Sequence, residues 1–164
     1  MFIRDRYQYV QQDANFVGGE FDMAYQLGRG WALTAMADGV RGQLDSDDAS
    51  GNNQLPRMPA DRFGFGIEVS GSRFTQGASN WILYSQWVQV QKQDQVALNE
   101  ESTEGYNLLS AGISYHTMLA KSEYSIDLRG TNLLDSEVRQ HTSFVKDLAP
   151  QAGRGISLGL TASF

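Results

Sequence analysis

Residues 155–164 read Gly-Ile-Ser-Leu-Gly-Leu-Thr-Ala-Ser-Phe, and every second side chain from Ile156 to Phe164 is apolar. The side chains between them are serine, glycine and threonine. Successive residues of a β-strand point to opposite faces of a sheet, whereas a helix sorts its residues with a period of about 3.6. This stretch therefore predicts a β-strand with one apolar face and one polar face.

The same alternation recurs along most of the chain. We predict about eight strands, at residues 2–12, 15–28, 31–45, 61–73, 79–93, 105–117, 121–132 and 154–164. Several of them exceed the usual strand length of about 5–6 residues in globular proteins. They match the roughly 9–11 residues that a tilted strand needs to cross a bilayer.

The connections between these strands alternate between short and long. Short links fall near 28–30, 74–78 and 118–120, and long links near 46–60, 93–104 and 133–153. Transmembrane barrels have short periplasmic turns and longer extracellular loops. The predicted fold is therefore all-β, an antiparallel up-and-down transmembrane β-barrel segment of about eight strands that forms a single unit over residues 1–164. A periplasmic C-terminus places all the long loops on the extracellular side.

Composition excludes several other classes of protein. The 164 residues carry a net charge of −6, from 19 acidic and 13 basic residues, and include no cysteine. No apolar run approaches the roughly 18 residues of a membrane-spanning helix. No basic stripe stands out, so we expect no nucleic-acid partner. Two histidines without any cysteine offer no plausible Ser-His-Asp or Cys-His set, and we expect no enzymatic activity.

The side chains on the two sides of the predicted strands differ in character. We expect the charged residues among them to line the inner wall of the barrel: Glu20, Asp22, Glu68, Asp127 and Arg129. The aromatic residues lie mostly toward strand ends. They fit the interfacial girdles of a membrane barrel or, equally, the core of a soluble β-sandwich.

Residues 131–164 contain a series of short motifs. These are Asn132-Leu-Leu-Asp135, Glu137-Val-Arg139, His141-Thr-Ser-Phe-Val-Lys-Asp147, Ala149-Pro150 and Gly153-Arg154, followed by the strand that ends in Phe164. Together they resemble the C-terminus of TonB-dependent outer-membrane receptors, and residues 141–147 are closest to the zinc-uptake branch. Residues 55–59, 62–64 and 16–21 also resemble this family.

The resemblance implies a larger parent protein. Such receptors are barrels of roughly 22 strands with a plugged lumen, and the plug is a separate N-terminal domain that this sequence lacks. They import metal ions, zinc, iron chelates such as siderophores, or similar nutrients with energy delivered through TonB. The implied partners are outer-membrane lipid, the barrel-assembly machinery and, through the missing plug, the TonB complex. The implied location is the bacterial outer membrane, with no resident cofactor and no transport by this segment alone.

Two sets of candidate functional residues follow. Ser157, Gly159, Ala162 and Phe164 match the spacing of the terminal-strand signal that the family's assembly machinery recognises. His141, Asp147 and Glu137 lie in the last long loop and combine an imidazole with carboxylates, which suits zinc or a similar ion. A surface histidine without a ligand is the alternative for His141.

Two other interpretations of the whole chain remain. One is a free-standing barrel of about eight strands with a binding, adhesion or structural role, since eight strands can close around their own side chains. The other is a soluble β-rich ligand-binding domain, which the terminal strand disfavours.

Overall fold

A single β-sheet is the only layer that the described residues form. A computed structural model describes residues 12–46, 51–73 and 79–164. These residues form seven strands: β1 (Ala14–Gly28), β2 (Trp31–Leu44), β3 (Arg62–Arg73), β4 (Ser79–Val90), β5 (Tyr106–Leu119), β6 (Ser122–Thr131) and β7 (Gly155–Ser163). Each strand pairs antiparallel with the next, which gives one open sheet in chain order. The predicted strand at 2–12 lies outside the described residues.

The described strands confirm the all-β, up-and-down prediction, and two strand ends differ from it by more than one residue. β4 ends at Val90 rather than at residue 93, because the chain turns into loop contacts there: the Gln91 amide donates to the Asp61 carbonyl over 2.8 Å. β5 continues to Leu119, which pairs with Ser122. No helix in the described part of the chain is long and apolar enough to cross a membrane.

The strand register divides the side chains between two faces, because residues directly opposite one another in a ladder share a face. One face, called the apolar face here, carries alternate residues of every strand. These include Val17, Phe21, Met23, Tyr25, Trp31, Leu33, Phe63, Phe65, Ile67, Val69, Trp81, Leu83, Trp87, Leu109, Ile113, Tyr115, Tyr124, Ile126, Leu128, Ile156, Leu158 and Leu160. The residues between them form the polar face.

Charge is sorted between these faces almost completely. The polar face carries Glu20, Asp22, Asp38, Arg62, Glu68, Glu123, Asp127 and Arg129. Among strand residues with described side chains, the apolar face carries a single charge, Arg41, close to the end of β2. The five charged residues predicted to line the inner wall of the barrel therefore all lie on the polar face.

The described part of the chain lacks the packed interior of a globular domain. Ala32 and Val138 are the only apolar residues in the described part that are buried. The accessible surface is 12400 Å², whereas a compact monomer of this mass exposes about 8,100 Å². A sheet normally buries one face against a second layer, and here the described chain provides none for the apolar face.

Candidate functional site

Three long loops meet at one end of the sheet. They are L1 (residues 45–61, of which 47–50 lie outside the described part), L2 (91–105) and L3 (132–154). All three connect strands at the same end, because the strands alternate in direction. The β1–β2 and β5–β6 turns lie at the opposite end, as the pattern of long and short links predicted.

L2 joins the other two loops through a few buried polar side chains. Gln93, only 3% exposed, donates from Nε2 to the carbonyls of Met58 and Pro59 in L1 over 3.1 and 3.0 Å. The backbones of Gln93 and Thr103 exchange hydrogen bonds of 2.9 and 3.0 Å across L2. Unpaired buried polar groups are costly, so these bonds tie L1 to L2 in a defined arrangement.

His141 joins L3 to L2. Its ring is buried, and Nδ1 lies 2.7 Å from Thr103 Oγ1 and 3.3 Å from Lys146 Nζ. Its Nε2 lies 3.2 Å from Glu100 Oε1, in a geometry that does not make a hydrogen bond. Burial and the neighbouring Lys146 ammonium lower the pKa of His141, against the opposing effect of Glu100. The imidazole is therefore neutral near pH 7.

Lys146 and Glu100 complete this junction. Lys146 is 6% exposed and donates from Nζ to the backbone carbonyl of Glu101. Glu100 accepts a 2.9 Å bond from the amide of Arg57 in L1 and a 3.2 Å bond from the amide of Ala97. One carboxylate in L2 thus contacts both L1 and the His141 junction of L3.

The predicted metal ligands do not form a metal-binding group in the described part of the chain. Glu137 pairs with Arg139 Nε over 2.6 Å, Asp147 is exposed at the surface, and His141 is buried against Thr103. The described residues include no group of three or more histidine or acidic side chains arranged to hold a metal ion. The alternative of a surface histidine is wrong as well, because His141 is 4% exposed.

The loops fold over the polar face. A cavity of about 380 Å³ lies between them and the sheet, lined by loop residues that include Arg139 and His141 and by Arg62, Val88, Tyr106 and Leu108 of the polar face. This arrangement explains why β4 has apolar residues on both sides: Val88 and Val90 lie beneath the loops.

The four residues of the predicted assembly signal lie in or directly after β7. Ser157 and Gly159 are on the polar face, and Ala162 is on the apolar face opposite Tyr124. Phe164 follows the strand, is 98% exposed and contacts the Tyr124 ring edge-on at 6.4 Å. In the described part of the chain β7 pairs with β6 alone, so its second edge is open.

Sequence reasoning missed most of the loop junction. Gln93, Glu100, Thr103 and Lys146 are ordinary polar loop residues in sequence, and no spacing marks them. His141 alone was singled out, for a different role. The chain matches no known protein-family model.

Proposed function

We propose that this chain is a wall segment of a bacterial outer-membrane β-barrel and forms the C-terminal portion of a TonB-dependent receptor. In this proposal the apolar face contacts lipid, the polar face lines the interior, and L1, L2 and L3 lie outside the cell. The observation that carries the proposal is an exposed apolar face whose one described charge, Arg41, lies near the loop end.

Lipid is the environment that such a face requires. Val17, Ile156 and Phe164 are 75%, 74% and 98% exposed, and removing such a side chain from water gains about 1.5–3 kcal/mol. Soluble monomers rarely expose contiguous apolar patches larger than a few hundred Å². The apolar face extends across all seven described strands, so water would be a poor solvent for it.

The dimensions and the aromatic residues also favour a bilayer. From Gly155 to Ser163 the strand β7 rises about 27 Å at ~3.4 Å per residue, which a tilt of ~40° reduces to about 21 Å, close to the ~25 Å apolar band of outer-membrane barrels. Phe63, Phe65 and Trp87 form an aromatic cluster toward the loop end, with centroid distances of 6.3 and 5.7 Å. Trp31, Trp81 and Tyr124 lie toward the turn end.

A larger parent barrel accounts for the open sheet. β1 and β7 both run from the loop end to the turn end, so antiparallel closure requires an odd number of additional strands. A receptor of roughly 22 strands supplies them, and the motifs of residues 131–164 support that family. The parent's role is import of metal ions or metal chelates, without enzymatic activity, and this segment alone does not transport. The rival is a free-standing barrel closed by the strand predicted at 2–12.

Site-directed fluorescence tests the membrane arrangement. The chain lacks cysteine, so single cysteines placed at Leu158 and Ser157 carry an environment-sensitive dye on opposite faces. In phosphatidylcholine vesicles we expect the dye at 158, and not at 157, to be blue-shifted and quenched by nitroxide-labelled acyl chains. Equal quenching at both positions contradicts a lipid-facing apolar face.

The receptor assignment needs a separate test. Coding sequence upstream of Met1 that specifies a plug domain and further strands supports it, whereas a secretion signal directly before Met1 supports the free-standing barrel. Uptake of labelled zinc and of a ferric chelate by cells that express the complete gene product then identifies the cargo. Absence of uptake for both cargoes contradicts the metal-import role.

A further inference from the structure

A shallow groove interrupts the apolar face near the loop end. Gly19 of β1 lies directly opposite Gly39 of β2, and Gly19 forms the open floor. A Cβ placed on Gly19 would find no atom within 4 Å. Val17, Phe21 and Phe63 contribute to the walls of a space of about 640 Å³, a volume within the ~300–1,000 Å³ range of ligand sites.

Arg41 and Arg62 both line this space, and only Arg41 lies on the apolar face. Arg41 lies on the apolar face opposite Val17, and its side chain is 37% exposed. Its Nη1 donates to the Val40 carbonyl over 3.1 Å and to Asp61 Oδ1 over 2.6 Å, and Nη2 donates to Asp61 Oδ2. The Asp61 carboxylate covers Gly39 and would collide with a Cβ added there.

This pairing leaves one edge of the guanidinium available. Arginine has five N–H donors, and Asp61 and Val40 take three of them. Within the described residues, the Nε–H and the second Nη2–H have no acceptor. These two donors point in parallel and fit two oxygens of a phosphate group. The groove therefore offers an apolar channel with a phosphate-binding edge at the end where lipid headgroups would lie.

We propose that the groove binds a phospholipid, with one acyl chain over Gly19, between Val17 and Phe21, and the phosphate on the Nε–Nη2 edge of Arg41. This site rests on the proposed function, since only a membrane places lipid against this face. Asp61 keeps its contact with the opposite edge of the guanidinium and is the counter-ion when no lipid is bound. The ligand must therefore carry both a phosphate group and a long apolar chain.

Filling the groove is the sharpest test. Gly19→Leu adds a side chain where the structure has open space, so we expect it to fold and to exclude the acyl chain. Ala111→Leu is the control, because it places a leucine on the apolar face on β5, away from the groove. Far-ultraviolet circular dichroism checks that both variants retain their sheet.

The readout is native mass spectrometry of the complete chain released from detergent micelles that contain phosphatidylglycerol. We expect the unmodified chain and the Ala111→Leu variant to retain lipid. The added leucine occupies the space of the acyl chain, so Gly19→Leu should lose most of the retained lipid. Equal retention of lipid by the Gly19→Leu variant and the unmodified chain overturns the proposal.

The headgroup is tested with a neutral galactolipid that has the same acyl chains. We expect the unmodified chain to prefer phosphatidylglycerol and the Arg41→Gln variant to lose that preference. An unmodified chain that shows no preference overturns the phosphate contact. The dye experiment at positions 157 and 158 separates the two failures. If the dye at 158 contacts lipid but Gly19→Leu has no effect, the lipid site fails and the membrane proposal stands.

Discussion

A charge introduced at Leu160 tests directly whether the apolar face contacts water or lipid. Leu160 lies in the middle of β7, is 71% exposed and faces Ile126 across the ladder, whereas the next residue, Thr161, lies on the polar face and is also exposed. In water, Leu160→Lys would replace one exposed side chain with another and change stability by less than about 0.5 kcal/mol. In a bilayer, a lysine at mid-depth of the lipid-facing side costs about 2–4 kcal/mol.

We therefore expect Leu160→Lys to lower the free energy of unfolding by roughly 2–4 kcal/mol in lipid and Thr161→Lys to change it by less than about 0.5 kcal/mol. The assay is urea unfolding of the chain in short-chain phosphatidylcholine vesicles, followed by fluorescence of its three tryptophans and extrapolated linearly to zero denaturant. A cost below about 0.5 kcal/mol for Leu160→Lys, or equal costs at both positions, refutes the reasoning.

Three further predictions concern the turns and loops. Gly30→Ala should cost more than about 2 kcal/mol in the same unfolding assay, because Gly30 has φ of 80° and an added Cβ would collide with the Ser70 carbonyl. Replacing Ala120-Lys121 by Asn-Gly should stabilise the chain by about 1 kcal/mol, since both residues have positive φ in a two-residue hairpin turn. The pKa of His141 is lowered in the folded chain, so the unfolded chain binds the proton more tightly. The L2–L3 contact is therefore fully stable above about pH 6.5 and should weaken by up to ~1.4 kcal/mol per pH unit below it. Hydrogen exchange in L2 measures this loss.

Controls make each of these predictions specific. Gly28→Ala also has a positive φ, of 84°, but meets no atom within 4 Å, so it should cost only the ~1–2 kcal/mol of the left-handed backbone. Equal costs at the two glycines would show that the Ser70 contact does not matter. An Asn-Gly turn that destabilises the sheet would contradict the hairpin geometry. His141→Gln should remove the pH response in L2 and His116→Gln, in β5, should leave it; the reverse result would exclude His141 as the titrating group.

Much of the sheet was predictable because its information is local. Each strand alternates between apolar and polar side chains, and that alternation depends only on neighbouring residues and on the solvents of the two faces. The ends at Val90 and Leu119 differed from prediction because hydrogen bonds to Asp61 and across the Ala120–Lys121 turn set them. Such contacts leave no mark in a single stretch of sequence.

The terminal strand β7, from Gly155 to Ser163, is what the sequence determined by itself: its conformation, its apolar face and its place at the end of an up-and-down sheet all follow from residue alternation and loop length. The tertiary structure alone decided the burial of His141 against Thr103, and the pairing of Arg41 with Asp61 beside Gly19 and Gly39. These contacts join residues that are 38 and 20 positions apart. Their geometry depends on strand register and loop packing, and a pattern that repeats every two residues specifies neither.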